Sequence, residues 1–243
     1  NTADLTGGAL SGSDNADTFV LDAAGLKANE ILFTAINSLV NAEGGLDDVT
    51  GMVGVDWTLT ANTGELSSTS YQFIGIETAD LVSQALTGTD TNNETFSIST
   101  TANAVNVNAI DFTSVAAINA GVSTGDAVTT TETVNADLTA NGNELVASTI
   151  NFSNINDVDL SGGALTGTDT NDETFEISTA ANAVNVNDID FTSVAAINAG
   201  TSTGDAVTTT ETVNADLTVN GNELVASTIN FSNINDADLS GGA

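Results

Sequence analysis

Residues 227–243 read STINFSNINDADLSGGA, and residues 148–164 carry the same words with Val158 in place of Ala237. The run ASTINF that leads into each alternates apolar and polar residues, the period of a strand with one face buried. After it comes a cluster of Asn, Asp, Ser and Gly, the residues that supply turns. A worn copy, TSYQFIGIETADLVSQA, fills 69–85, and ADLTGGA at 3–9 matches 237–243 apart from one residue. So short a phrase cannot bury its apolar face alone. Its recurrence points to units that fold by stacking on one another.

Beyond that phrase, 86–164 and 165–243 are two copies of equal length that differ at seven places: Asn93/Asp172, Ser97/Glu176, Thr101/Ala180, Ala109/Asp188, Val122/Thr201, Ala140/Val219 and Val158/Ala237. Residues 10–85 are a third, diverged copy, and 1–9 are the tail of a preceding one. Each copy divides again, because IDF at 110 and 189 and INF at 150 and 229 alternate at intervals of 40 and 39. A finer beat of about twenty runs through Phe19, Ile36, Val55, Ile76, Phe96, Val115, Val134, Ile155, Phe175, Val194, Val213 and Ile234. The reading is an all-β chain, a parallel β-solenoid (β-helix) with about 20 residues per rung and twelve rungs. The absence of proline agrees, since interior strands need every N–H. Tandem β-sandwich domains of about 79 residues are the alternative, favoured by LTANGNELV (138–146) and LTVNGNELV (217–225), whose Asn-Gly between apolar runs signals a hairpin.

Thirty-three acidic side chains face a single cation, Lys27, for a formal charge of −32. That balance argues against nucleic acid as a partner, because binding it needs Lys and Arg to replace counterions, and makes cations the natural partners. The lack of an 18-residue apolar run argues against membrane insertion. Without His, Cys or Arg, acid–base work would fall to carboxylates, and the lone Trp and lone Tyr leave little platform for a sugar, so no enzyme is expected. A solenoid-type polysaccharide lyase ranks last among the readings.

The stretches LSGSDNADTFVLD (10–22), LTGTDTNNETFSIS (86–99) and LTGTDTNDETFEIS (165–178) resemble degenerate glycine- and aspartate-rich nonapeptides of RTX proteins. With INFSNINDVDLSGG they resemble the repeat regions of long bacterial surface proteins, the RTX-type adhesins and filamentous-haemagglutinin-like solenoids. That resemblance implies an exported, extracellular or cell-surface protein of structural or adhesive role, with keywords such as filament, biofilm and calcium.

Calcium takes six to eight oxygen ligands, and acidic turns offer carboxylates beside carbonyls. The candidate ligands for Ca2+ are Asp14 with Asp17, Asp90 with Glu94, Asp169 with Asp172, and the Gly-Asp turns at Asp126 and Asp205. In each case the bland reading is an Asp bonding its own turn. Asn residues in NAVNVN (103–108 and 182–187) offer amides that could stack between rungs or simply face solvent. Lys27 reads as an ordinary surface lysine.

The function expected is a structural repeat segment of an extracellular fibre, surface layer or giant adhesin stalk, with copies of itself joined head-to-tail as partners. A calcium-dependent adhesive or glycan-binding module is the alternative. Twelve rungs at about 4.8 Å would place one net charge every 1.8 Å or so, a density at which counterions condense.

Overall fold

A computed structural model describes residues 2–4, 6–36, 39–142, 144–218 and 223–239. Among these there is no helix, and the stacked parallel coils form a β-solenoid of about seven turns of roughly 32 residues. Two compact units divide it: Asn1–Ser97 with Ala102–Ser123, and Ile98–Thr101 with Thr124–Ala243.

In the first unit the chain shuttles between two sheets, A and B. β1 (Thr2–Asp4) is in A and β2 (Leu10–Ser11) in B. β3 (Thr18–Asp22), β4 (Gly25–Ala28) and β5 (Ile31–Thr34) then make an antiparallel meander in A that steps back towards β1, on which β5 pairs in parallel. β6 (Leu39–Asn41) pairs with β2 in B, and β7 (Asp48–Thr50) with β3 in A. A second meander, β8 (Trp57–Leu59), β9 (Glu65–Ser68) and β10 (Gln72–Ile74), steps back in B onto β6. β11 (Thr78–Thr87) bends from A, beside β7, into B, beside β8. After β12 (Thr95–Ile98) and β13 (Val105–Val107), β14 (Ile110–Asn119) bends the same way along β11. Sheet A is therefore ordered β1-β5-β4-β3-β7-β11-β14-β13, and sheet B β2-β6-β10-β9-β8-β11-β14.

The second unit repeats the scheme in sheets C and D. Sheet C holds β15 (Ala127–Thr130), β19 (Asp157–Asp159), β21 (Thr174–Ile177), β22 (Val184–Val186), β23 (Ile189–Thr192), β25 (Ala206–Thr208) and β29 (Asp236–Asp238), in the spatial order β15-β19-β23-β22-β21-β25-β29. Sheet D holds β16 (Ala136–Leu138), β17 (Glu144–Ala147), β18 (Ile150–Ser153), β20 (Ala164–Thr166), β24 (Ala196–Asn198), β26 (Ala215–Leu217), β27 (Glu223–Ala226) and β28 (Ile229–Ser232), ordered β18-β17-β16-β20-β24-β28-β27-β26.

Parallel neighbours such as Ala136↔Leu165 and Ala196↔Asn230 lie a coil of roughly 32 residues apart, so the rung is not the one of about 20 residues that the apolar beat suggests. The physical reason is the meander. Three consecutive strands fill three layers in reverse, and the chain must then leap over them to advance. Residues 157 and 236, one copy apart, are separated by five strand steps in sheet C, and residues 150 and 229 by five in sheet D. One copy thus advances each sheet by about 24 Å. The beat marks core anchors, several of them at sheet-to-sheet corners: Ile76, Val134, Ile155 and Val194 are buried between strands rather than within them.

Alternation explains the core. In TFEI of β21, Phe175 and Ile177 point inward and Thr174 and Glu176 outward. The two sheets of each unit meet through such residues, with Phe19 6.0 Å from Phe73 in the first unit and Phe175 6.4 Å from Phe231 in the second, centroid to centroid. The Asn-Gly hairpin is present as well: Thr139 N–H bonds the Glu144 carbonyl at 3.0 Å, and Gly142 takes a φ of +82°. It lies inside the solenoid as the turn between β16 and β17, not inside a separate sandwich. β19 in one copy pairs with β23 in the next, so the copies share a sheet across the 164/165 boundary.

Candidate functional site

The corners that return the chain to sheets A and C each end in a polar residue placed just before a strand. In the first unit these are Asp17, Asp47, Glu77 and Glu94; in the second, Asp126, Asn156, Glu173, Asp205 and Asn235. Asp17, Asp47, Glu94, Asp126, Glu173 and Asp205 are buried. Their role follows from where sheet pairing stops. At each corner a backbone N–H leaves the ladder, and the side chain of the next coil accepts it: Asp17 N–H to Asp47 Oδ1 (2.7 Å), Asp47 N–H to Glu77 Oε2 (2.8 Å), Asp126 N–H to Asn156 Oδ1 (3.2 Å), Glu173 N–H to Asp205 Oδ1 (2.9 Å) and Asp205 N–H to Asn235 Oδ1 (3.3 Å). The carbonyls reciprocate, with Asp48 N–H on Asp17 O and Ala206 N–H on Glu173 O. Buried backbone donors need such partners.

Where a corner follows a long loop, the loop wraps its own carboxylate. Thr168 donates N–H to Glu173 Oε2 (3.1 Å) and its hydroxyl to Oε1 (2.6 Å), and Thr89 does the same for Glu94. Asp17 accepts from Ser13 N–H and hydroxyl and from Asn29 Nδ2. Gly167 is required here: a Cβ on it would stand 2.5 Å from the Ala199 carbonyl oxygen.

Two carboxylates are incompletely served. The Oδ2 atoms of Asp47 and Asp205 are buried without a hydrogen-bond partner. Burial pushes the Asp47 carboxyl above its ordinary range, and the charges of Glu77, Asp17 and Asp48 push it further. Glu173 is raised too, by burial first and by neighbouring Asp205, against the bonds from Thr168. Asp17 is lowered by the Ser13 N–H and then Asn29. On the surface, Glu132 and Glu211 are lowered by the N–H groups of Thr100 and Thr179.

The eight calcium candidates fall into two groups. Asp17, Glu94, Asp126 and Asp205 are the buried corner residues just described. Asp14, Asp90, Asp169 and Asp172 are exposed in the loops, Asp169 accepting Thr201 N–H at 3.0 Å. Within each acidic loop one carboxylate turns in and the other out, and among the described residues no group of three or more is placed to hold a metal ion. Sequence reasoning misses Asp47, Glu77, Glu173, Asn156 and Asn235. The signal that finds them is a polar residue one place before an alternating run, recurring at intervals of 30 or 32.

The asparagines of NAVNVN do not stack on each other. Asn106 and Asn185 donate across the hairpin to Asp111 (2.7 Å) and Asp190 (2.8 Å), while Asn103, Asn108, Asn182 and Asn187 take positive φ in turns. Lys27 lies on the surface, paired with Asp22 at 2.6 Å. On the outer face of sheet C, Asp157, Asp190, Asn185 and Glu176 stand in one register row along an open groove that Glu211 also lines. Among the described residues, no helix is long and apolar enough to cross a membrane. No family model matches the chain, and neither a curated protein nor a solved structure does.

Proposed function

We propose that the chain is a structural repeat segment of an extracellular fibre, surface layer or adhesin stalk at the cell surface, and not an enzyme. The observation that carries this reading is the shared sheet: β19 of one copy completes its ladder only with β23 of the next, so adding a copy lengthens the stack without adding a new domain. Near-identical copies are useful where length is the function. The corner carboxylates support the same reading, since their hydrogen bonds serve the backbone of adjacent coils and leave none converging on a substrate. Cations are partners in this proposal because copy 3 carries twelve carboxylates and no base over about 24 Å, near one charge per 2 Å. Negative-stain images and surface fractionation of native material test it: filaments or a surface lattice carrying this chain are expected, and a soluble intracellular monomer would overturn it.

A calcium-dependent adhesive module is the second reading, favoured by the in-register carboxylates Asp157 and Asp190 beside Glu176 on the groove of sheet C. Saturable calcium binding that is lost in Asp190→Asn and Glu176→Gln would support it.

A further inference from the structure

The same strand is buried inside the stack and bare at its end. In β16, Ala136 and Leu138 are buried, and in β19 so is Val158; in β26 and β29, one copy later, Ala215, Leu217 and Ala237 are exposed, Leu217 at 85 %. The internal copy identifies the missing cover. β20 lies on β16 with Ala136↔Leu165 and Asp137↔Thr166, and β23 lies on β19 with Asp157↔Asp190, Val158↔Phe191 and Asp159↔Thr192.

The chain contains equivalents of both covering strands. β2, Leu10–Ser11, stands at the repeat position of Leu165–Thr166, and β5, ILFT, at that of IDFT in β23. They too are under-buried: Ile31 is 37 % exposed and Phe33 half-buried, whereas Ile110, Ile189, Phe112 and Phe191 are buried. The place beside β5 is held by β1, Thr-Ala-Asp, in the register Thr2↔Leu32, Ala3↔Phe33, Asp4↔Thr34. β1 is itself the repeat equivalent of β29, Asp-Ala-Asp.

We infer that the bare end of the second unit binds a second copy of this chain by strand exchange, β29 replacing β1 beside the partner's β5 while β26 pairs with the partner's β2. The inference deepens the structural reading above and rests on it. The register is fixed by the internal copy: Ala215 meets Leu10 and Asp216 meets Ser11, while Asp236, Ala237 and Asp238 meet Leu32, Phe33 and Thr34. Exchange conserves the three pairs that β1 gives up and adds the pairing of β26, so apolar cover is gained at both ends. Like charge opposes the encounter and is screened by salt.

Size-exclusion chromatography with light scattering on the 243-residue chain tests this. Masses above the monomer are expected at tens of micromolar, rising as sodium chloride goes from about 0.02 to about 0.5 M. Leu217→Asp should hold the chain at monomer mass with an unchanged circular dichroism spectrum and melting temperature, because Leu217 is already exposed. Removing residues 1–8 should strengthen association at least several-fold by freeing β5. A wild-type chain that stays monomeric at every salt, or an association insensitive to both changes, overturns the inference. Native filaments with a monomeric 243-residue chain would leave the structural reading standing and sink only the exchange; association of this chain without any native fibre would do the reverse.

Discussion

Replacing Asp47 by Asn should make the protein more stable at neutral pH. The Asp47 side chain is fully buried, its Oδ1 accepts Asp17 N–H at 2.7 Å, and its Oδ2 has no partner. The same ladder position is held by Asn156 and Asn235 elsewhere, each accepting the preceding corner N–H through Oδ1, so Asn keeps the bond that matters and removes a buried anionic oxygen. An unserved buried polar group costs about 1–3 kcal/mol. A gain of about 1–2 kcal/mol is therefore expected at pH 7, or a rise in melting temperature of roughly 2–8 °C for a chain of this size. The sign with pH follows from the raised carboxyl of Asp47. A raised folded value means the wild type loses nothing below the unfolded value of 3.8 and loses stability as pH rises towards the folded one. The advantage of Asp47→Asn should then be full at pH 7 and fade towards pH 4. Asp17→Asn is the opposite control: its carboxylate is lowered by Ser13 and Asn29, so its contribution is present above 3.8 and vanishes in acid, and the variant should be destabilised at pH 7. Urea melts of both variants across this range are the assay. An Asp47→Asn protein that is less stable at pH 7, or whose difference from wild type ignores pH, refutes the argument.

Ala109 sits at φ 63° in the β13–β14 turn, where copy 3 has Asp188 at 61°; Ala109→Asn should add about 1 kcal/mol, because Asn tolerates the left-handed region, and thermal melts will read it. Leu138→Ala should cost about 2–5 kcal/mol, while Leu217→Ala at the equivalent exposed position should cost the monomer under about 0.5 kcal/mol in denaturant titrations. Melting temperature should climb with sodium chloride as the charge of −32 is screened; if millimolar calcium at about 0.15 M salt adds nothing more, diffuse screening is the whole effect and the calcium ligands suggested by the sequence are wrong.

The class of fold was legible because β-strand alternation and tandem copies are both local facts. TFEI and INFS turn the expected residues inward, with Phe175, Ile177, Ile229 and Phe231 all buried. The coil length was not legible, because stacked neighbours have no single sequence separation. β22 and β23 pair as a hairpin with Val186 opposite Ile189, while β20 and β24 pair across a whole coil with Ala164 opposite Ala196. Two signals that looked like rivals, Asn-Gly hairpins and stacked rungs, describe one structure. For the site, acidic residues in turns were visible but their directions were not. Thr168 wraps Glu173 while Asp172 faces out, and nothing local distinguishes the two neighbours until the coil of roughly 32 residues sets which one lies over Asp205.

The claim that the copies share sheets, with a coil of roughly 32 residues, is tested most directly by engineered cysteines in a chain that has none. Asp157 and Asp190 belong to different copies and face each other in register on adjacent parallel strands, a separation of about 4.8 Å that a disulfide spans. Asp157→Cys with Asp190→Cys should oxidise to an intramolecular bridge without loss of the native circular dichroism, while Asp157→Cys with Ile177→Cys, the partner that a rung of about twenty would supply, should not. Bridging at 177 but not at 190, or at neither, would contradict the shared sheet.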